Sequence, residues 1–269
     1  MPWLHILGYM GAMLMGLSLG LIGGGGSILS VPILVFLFDI DPLTATAYSL
    51  FIVGSVSMTG AVNHMFKGNI HWKAVFFFGI PSIISVLLLR TFLIPRIPNP
   101  VINWSFLVVP KPTFFLVLFA IVMLSASIAM TNKKLGARRP PHNPEQDFKY
   151  PFISLQGLLV GCITGLVGAG GGFLIIPGLV LLAHLPMKKA IGTSLVIIAL
   201  NATIGFMGDL HNEVTIDWRL LLSFTAIAIV GIQWGSNLTK RYTNEKLKPL
   251  FGWFVMVMAI LILLEEILG

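Results

Sequence analysis

Charge is scarce in this chain: of 269 residues only 10% are Asp, Glu, Lys or Arg, while 56% are hydrophobic and the mean hydropathy is +0.93. Soluble domains carry about a quarter charged residues, so that class is excluded and an integral membrane protein is expected. Cysteine is limited to Cys162, which allows no internal disulfide and sits among apolar neighbours as a small structural residue. The six histidines, His5, His64, His71, His142, His184 and His211, are scattered, with no His-x-x-x-His, Cys-x-x-Cys or carboxylate cluster to hold a metal. No catalytic residue, metal or cofactor is therefore expected, and the reading is not an enzyme. Met1 to His5 carries no Lys or Arg ahead of the first apolar run, unlike a cleavable signal. The net charge of +7 points to no nucleic-acid partner, because basic residues in short loops are what membrane insertion requires.

What is present is a series of eight apolar blocks, at about residues 5–38, 43–66, 73–94, 113–130, 152–183, 188–208, 219–237 and 247–268. Most match the ~20 residues a helix needs to cross a bilayer. The first and fifth are too long for one straight span, and each is interrupted by glycine: Gly23-Gly24-Gly25-Gly26-Ser27, then Gly168-Ala169-Gly170-Gly171-Gly172. Without Cβ the backbone there can leave the helical path and approach a ligand. Ile28 to Phe38 and Phe173 to Ala183 are short enough to be half-helices or re-entrant segments.

Residues 16–60 overlay residues 161–205 without a gap at an offset of 145, with 16 identical positions, among them Gly23, Gly25, Gly26, Pro32, Ser49 and Leu50. One inserted residue later, Ile70-His71-Trp72 falls on Ile216-Asp217-Trp218. The expected fold is all-α with 8–10 helical segments in two repeats, residues 1–130 and 152–269, joined by a polar cytoplasmic linker at 131–151. Each repeat is a glycine-broken segment plus three transmembrane helices. If each broken block returns to its own side, loop Lys and Arg divide 13 inside against 4 outside. The positive-inside rule selects that arrangement. Both termini then lie outside, and the repeats are inverted relative to each other.

Inverted repeats with a broken helix in corresponding places are the pattern of secondary transporters, whose sites lie near the midplane where half-helices meet. Amide ends of helices favour negative charge. Gly23, Gly24, Gly25, Gly26 and Ser27 with Gly168, Gly170, Gly171 and Gly172 are thus a candidate anion cradle, Ser27 acting as cap or direct contact. Close helix packing is the competing explanation for glycine. Tyr48, Ser49, Thr193, Ser194 and Asn201 supply neutral donors that could complete the site. No Lys, Arg, Asp or Glu lies firmly mid-span. His64, aligned with Asp209, is the candidate for proton or ion coupling, histidine being the side chain whose charge changes near neutral pH. A passive anion channel, or a membrane scaffold that transports nothing, would also fit an apolar chain of this kind, and the residues do not define an oligomer.

These residues together resemble the sulfite exporter TauE/SafE family, also called the toluene sulfonate uptake permease family. The resemblance rests on the glycine-rich opening and later proline of each half, on Gly192-Thr193-Ser194-Leu195, and on His64 followed by Gly68-Asn69-Ile70-His71-Trp72. It implies a multi-pass protein of the bacterial inner membrane that moves sulfite, thiosulfate, sulfoacetate or related anions. Ala47-Tyr48-Ser49-Leu50 departs from the pattern by carrying tyrosine where the second half has Thr193.

Overall fold

A computed structural model gives the architecture. It describes the chain except residues 1, 25, 41, 90, 91, 93–95, 97–101, 105, 106, 110, 132–149, 168–171, 210–215 and 269. The expected linker at 131–151 therefore lies almost wholly outside the described residues.

The described residues are all-α apart from one small hairpin. Helices α1 (Pro2–Ile22), α2 (Ser27–Phe38), α3 (Pro42–Phe66), α4 (Trp72–Leu88) and α5 (Lys111–Thr131) precede the linker. After it come α6 (Tyr150–Val167), α7 (Gly172–Pro177), α8 (Met187–Asp209), α9 (Trp218–Leu238) and α10 (Asn244–Leu268). Among the described residues, Leu4–Ile22, Thr44–Phe66, Met187–Met207 and Trp218–Leu238 are long and apolar enough to cross a bilayer. In each glycine-broken block the second arm is the short one. Helix α1 spans 21 residues and α6 spans 18, whereas α2 has 12 and α7 has six before a π turn at Gly178–Leu182. In the segment before α5, β1 (Ile102–Trp104) pairs antiparallel with β2 (Leu107–Val109).

Local rules explain where the short arms stop. Asp39 takes a left-handed conformation (φ 55°), as residues just past a helix end commonly do, and Ile40 N–H bonds back six residues to Leu34 O at 3.2 Å. At an offset of 145, His184 has φ 54° and Leu185 N–H bonds Leu179 O at 2.9 Å. The two arms end in the same backbone motif although the turning residues differ.

Helix α5 packs on α10, where Ser127 Oγ donates to Gly252 O at 2.7 Å, and three further crossings frame the centre of the bundle. Helices α3 and α8 run antiparallel: Leu50 lies against Gly205, Gly54 against Ala202 and Gly60 against Leu195. Helix α1 runs parallel to α9, because Gly231 abuts Met13 O and Leu17 N while Gly235 abuts Leu17 O and Leu21 N. Here Gly16-x-x-x-Gly20 faces Gly231-x-x-x-Gly235, the small-residue geometry that lets backbones approach in lipid. Helix α6 meets α4 in the same way, Gly157 against Phe78 O and Gly161 against Ser82 O, with Ser85 Oγ donating to Leu158 O at 3.0 Å. Positions 16 and 228 correspond to 161 and 82 under the repeat offsets, so equivalent residues make both contacts. The core between these crossings is filled by Met15, Leu19, Phe78, Ile175, Ile176 and Phe224, all fully buried. Met58, Met207 and Trp234 point outward, as lipid-facing residues do.

A Cβ on Gly235 would stand 2.1 Å from Leu17 O. Gly235→Ala is expected to push α1 and α9 apart at a cost of about 1–3 kcal/mol. Thermal unfolding of the detergent-solubilised variant should show a midpoint several degrees below that of the parent chain.

Candidate functional site

The two short arms begin against each other. A Cβ on Gly24 would lie 2.2 Å from Gly172 O, and one on Gly172 would lie 3.2 Å from Ser27 Oγ and 2.8 Å from Ile198 Cδ1. Only bare backbone permits so close an approach, so the starts of α2 and α7 touch main chain to main chain beside the middle of α8. Gly23 turns the chain out of α1 with φ 88°, and its carbonyl accepts from Ser194 Oγ at 3.2 Å. Gly25, Gly168, Gly170 and Gly171 lie outside the described residues.

Ser27 is not the cap expected of it. The N-cap of α2 is Gly26, which has no side-chain cap, and Ser27 is the first helical residue, its hydroxyl donating back to Gly24 O at 2.8 Å. The other hydroxyls are similarly committed. Ser30 donates to Ser27 O at 2.7 Å and Ser49 pairs with Ser30, so the Ser49 proton points to Ser30. Ser194 also reaches Ile191 O at 2.9 Å.

The predicted hydroxyls form two groups rather than one. Because Leu50 meets Gly205 and Gly60 meets Leu195, Ser49 lies level with Phe206, and Ser194 lies level with Ala61. That is about 12 residues along α3, or roughly 18 Å at 1.5 Å per residue. Tyr48 and Thr193 are the outermost members. Tyr48 OH accepts from the backbone N–H of Asp217, and Thr193 Oγ1 accepts from the backbone N–H of His71 at 3.0 Å.

Several buried polar atoms have nothing to bond. Among the described residues, neither amide atom of Asn201 has a hydrogen-bond partner, and the same holds for Ser57 Oγ and both ring nitrogens of His64, and, at the α4–α6 crossing, for Ser82 Oγ and both side-chain amide atoms of Gln156; Asn201 and Ser57 lie between the two groups. Asn201 sits one turn past Ile198, on the face of α8 that meets the glycines. Ser57 lies level with Ile198 across the α3–α8 crossing. Buried polar groups in folded proteins are nearly always satisfied, and an orphaned amide costs about 1–3 kcal/mol. Composition alone offered no way to single out Ser57. His64, the candidate for coupling, is fully buried, with Gly192 packed on its Cβ. Asp209 ends α8, and its side chain lies outside what is described.

The profile of the sulfite exporter TauE/SafE family matches residues 9–262. The chain belongs to that family. Its members are membrane transporters, and this chain is accordingly a multi-pass membrane protein of transporter type. A probable membrane transporter protein of Xylella fastidiosa is 27% identical over 256 residues, covering 93% of this chain and 91% of the relative. One from Methanocaldococcus jannaschii is 27% identical over 281 residues, covering 98% and 96%. Another, YunE of Bacillus subtilis, is 25% identical over 261 residues, covering 91% and 89%. A lateral groove of about 280 Å³ between α3 and α8, lined by Leu50, Phe51, Gly54, Phe206 and Met207 together with Ser55 and Thr203, is mainly apolar and offers little to an anion.

Asn201→Leu removes two buried polar atoms that have no partner. The variant is expected to unfold at the same temperature as the parent or a few degrees higher, which a thermal melt in detergent will measure.

Proposed function

We propose that this family member is a secondary transporter that carries a small sulfur-containing oxyanion, such as sulfite, thiosulfate or sulfoacetate, by exposing one central site alternately to each side of the membrane. The halves at 1–130 and 152–269 act as inverted copies, with the linker in the cytoplasm and both termini outside a bacterial inner membrane. The observation that carries this reading is the orphaned Asn201 amide, one helical turn along α8 from Ile198, which touches Gly172 where the short arms meet. A neutral amide and the partial positive charge of a helix start suit an anion that must bind and leave. The name of the matching family supplies the sulfur-oxyanion class.

In this arrangement Asn201 is the principal ligand and Ser57 a second donor. Gly24 and Gly172 are the backbone surfaces that separate to admit the solute, and the closed contact between them corresponds to a state in which the site is shut. The Ser27 and Ser194 hydroxyls, now spent on Gly24 O and Gly23 O, become available as those carbonyls move. His64, buried and unpartnered, is the candidate for coupling flux to a proton, with Asp209 its aligned counterpart.

The test is flux in proteoliposomes for sulfite, thiosulfate, sulfoacetate and sulfate, with and without a pH gradient. The parent chain is expected to give saturable uptake of at least one sulfur oxyanion. Gly24→Ala and Asn201→Leu should each lose most of it, about tenfold or more, while still inserting. Undiminished flux in Asn201→Leu would remove the ligand assigned here, and a rate that never saturates would indicate a channel.

A further inference from the structure

The two hydroxyls at the ends of the central crossing, Tyr48 and Thr193, hold backbone rather than solute. They occupy equivalent positions, 145 apart, and each reaches across to the opposite half. Tyr48, near the start of α3, accepts from the N–H of Asp217 in the segment leading into α9. Thr193, near the start of α8, accepts from the N–H of His71 in the segment leading into α4. His71 and Asp217 are themselves equivalent, 146 apart, and each uses its side chain to cap its own helix. His71 Nδ1 accepts from Ala74 N–H at 3.1 Å, and Asp217 Oδ1 accepts from Arg219 N–H at 3.0 Å and Leu220 N–H at 3.3 Å. Side chain and main chain of one capping residue thus fasten two elements at once.

The antiparallel register places these bonds at opposite ends of the site. Thr193 lies level with Val62, about 14 residues from Tyr48 along α3, or roughly 21 Å. Asn201, Ser57 and the Gly24–Gly172 contact fall between them. Tyr48 is 3% exposed and Thr193 is fully buried, so both bonds are shielded from water.

We propose that Tyr48 and Thr193 are reciprocal latches, positioning residues whose acceptance of a backbone N–H from the other half closes one mouth each. Both are engaged here, which makes this an occluded arrangement. Releasing Tyr48 from Asp217 opens the end at the start of α3; releasing Thr193 from His71 opens the end at the start of α8. The difference between tyrosine and threonine makes the two closures unequal in length and bulk, so the two open states need not be equally populated. The inference rests on the alternating-access reading, but it concerns the mouths and not the solute.

The experiment uses the full-length chain with Cys162→Ser, carrying a single reporter at Ile70→Cys beside His71 or at Ile216→Cys beside Asp217. Both positions are half-buried. A membrane-impermeant maleimide is applied from each face. Thr193→Val should speed labelling at residue 70 about fivefold and leave residue 216 unchanged, Tyr48→Phe should do the reverse, and Thr193→Ser, which keeps the oxygen, should match the parent. Equal changes at both reporters, or none at either, would overturn the proposal. Should a variant fail to fold, amide exchange in the unmodified protein still decides. Slow exchange at both His71 and Asp217 is expected, and fast exchange at either rejects the latch. Labelling requires no solute, so absent anion flux would reject the transport reading while leaving this result to stand or fall alone.

Discussion

Everything else in this molecule depends on main chain meeting main chain at Gly24 and Gly172. Inside a bilayer an interrupted helix is tolerable only where protein or a wet cavity satisfies the freed amides and carbonyls. At the break after α1 the freed carbonyls are taken by hydroxyls: Gly23 O by Ser194 of α8, Gly24 O by Ser27, and Ser27 O by Ser30. A side chain at either glycine would hold the short arms apart and leave those groups in hydrocarbon. The antiparallel run of α3 against α8 supplies the walls on which both arms rest.

Polar satisfaction is uneven along the α3–α8 crossing. The serines that line the arms are fully engaged with neighbouring carbonyls, a structural role that their chemistry alone would not distinguish from solute binding. Asn201, Ser57 and His64 are the exceptions on the two crossing helices, and they are expensive to maintain in a closed interior. Stability left unrealised at such positions is what one expects where a protein must be ready to bind something else.

Much of the plan was visible in the amino-acid order. Apolar block lengths located the helices, and the break after α1 was marked by Gly23, whose positive φ few residues other than glycine tolerate; Gly168 to Gly171 lie outside the described residues. The division of labour among the polar residues was not visible. Tyr48 and Asp217 are 169 positions apart, and a bond from a hydroxyl to a main-chain N–H leaves no trace in either residue's identity. Asp39 and His184 share a left-handed turn without sharing chemistry, so the strongest backbone correspondence between the halves falls at a mismatch in the alignment. The short glycine motifs at 16–20 and 231–235 were legible as small residues, but a chain with 28 glycines gives no reason to pair those two in particular.

The parallel seating of α1 on α9 bears on how the protein is made. The groove formed by Gly16 and Gly20 is filled by residues from Ala228 onward, so the first helix to leave the ribosome waits for almost the last. At typical synthesis rates of ~5–20 residues per second the interval is roughly 10–40 seconds, during which a surface of bare backbone stands in the lipid or in the insertion machinery without its mate. Assembly of this chain is therefore tied to completion of its second half, and a nascent chain halted before α9 would leave α1 as a surface for chaperones and quality-control proteases to read.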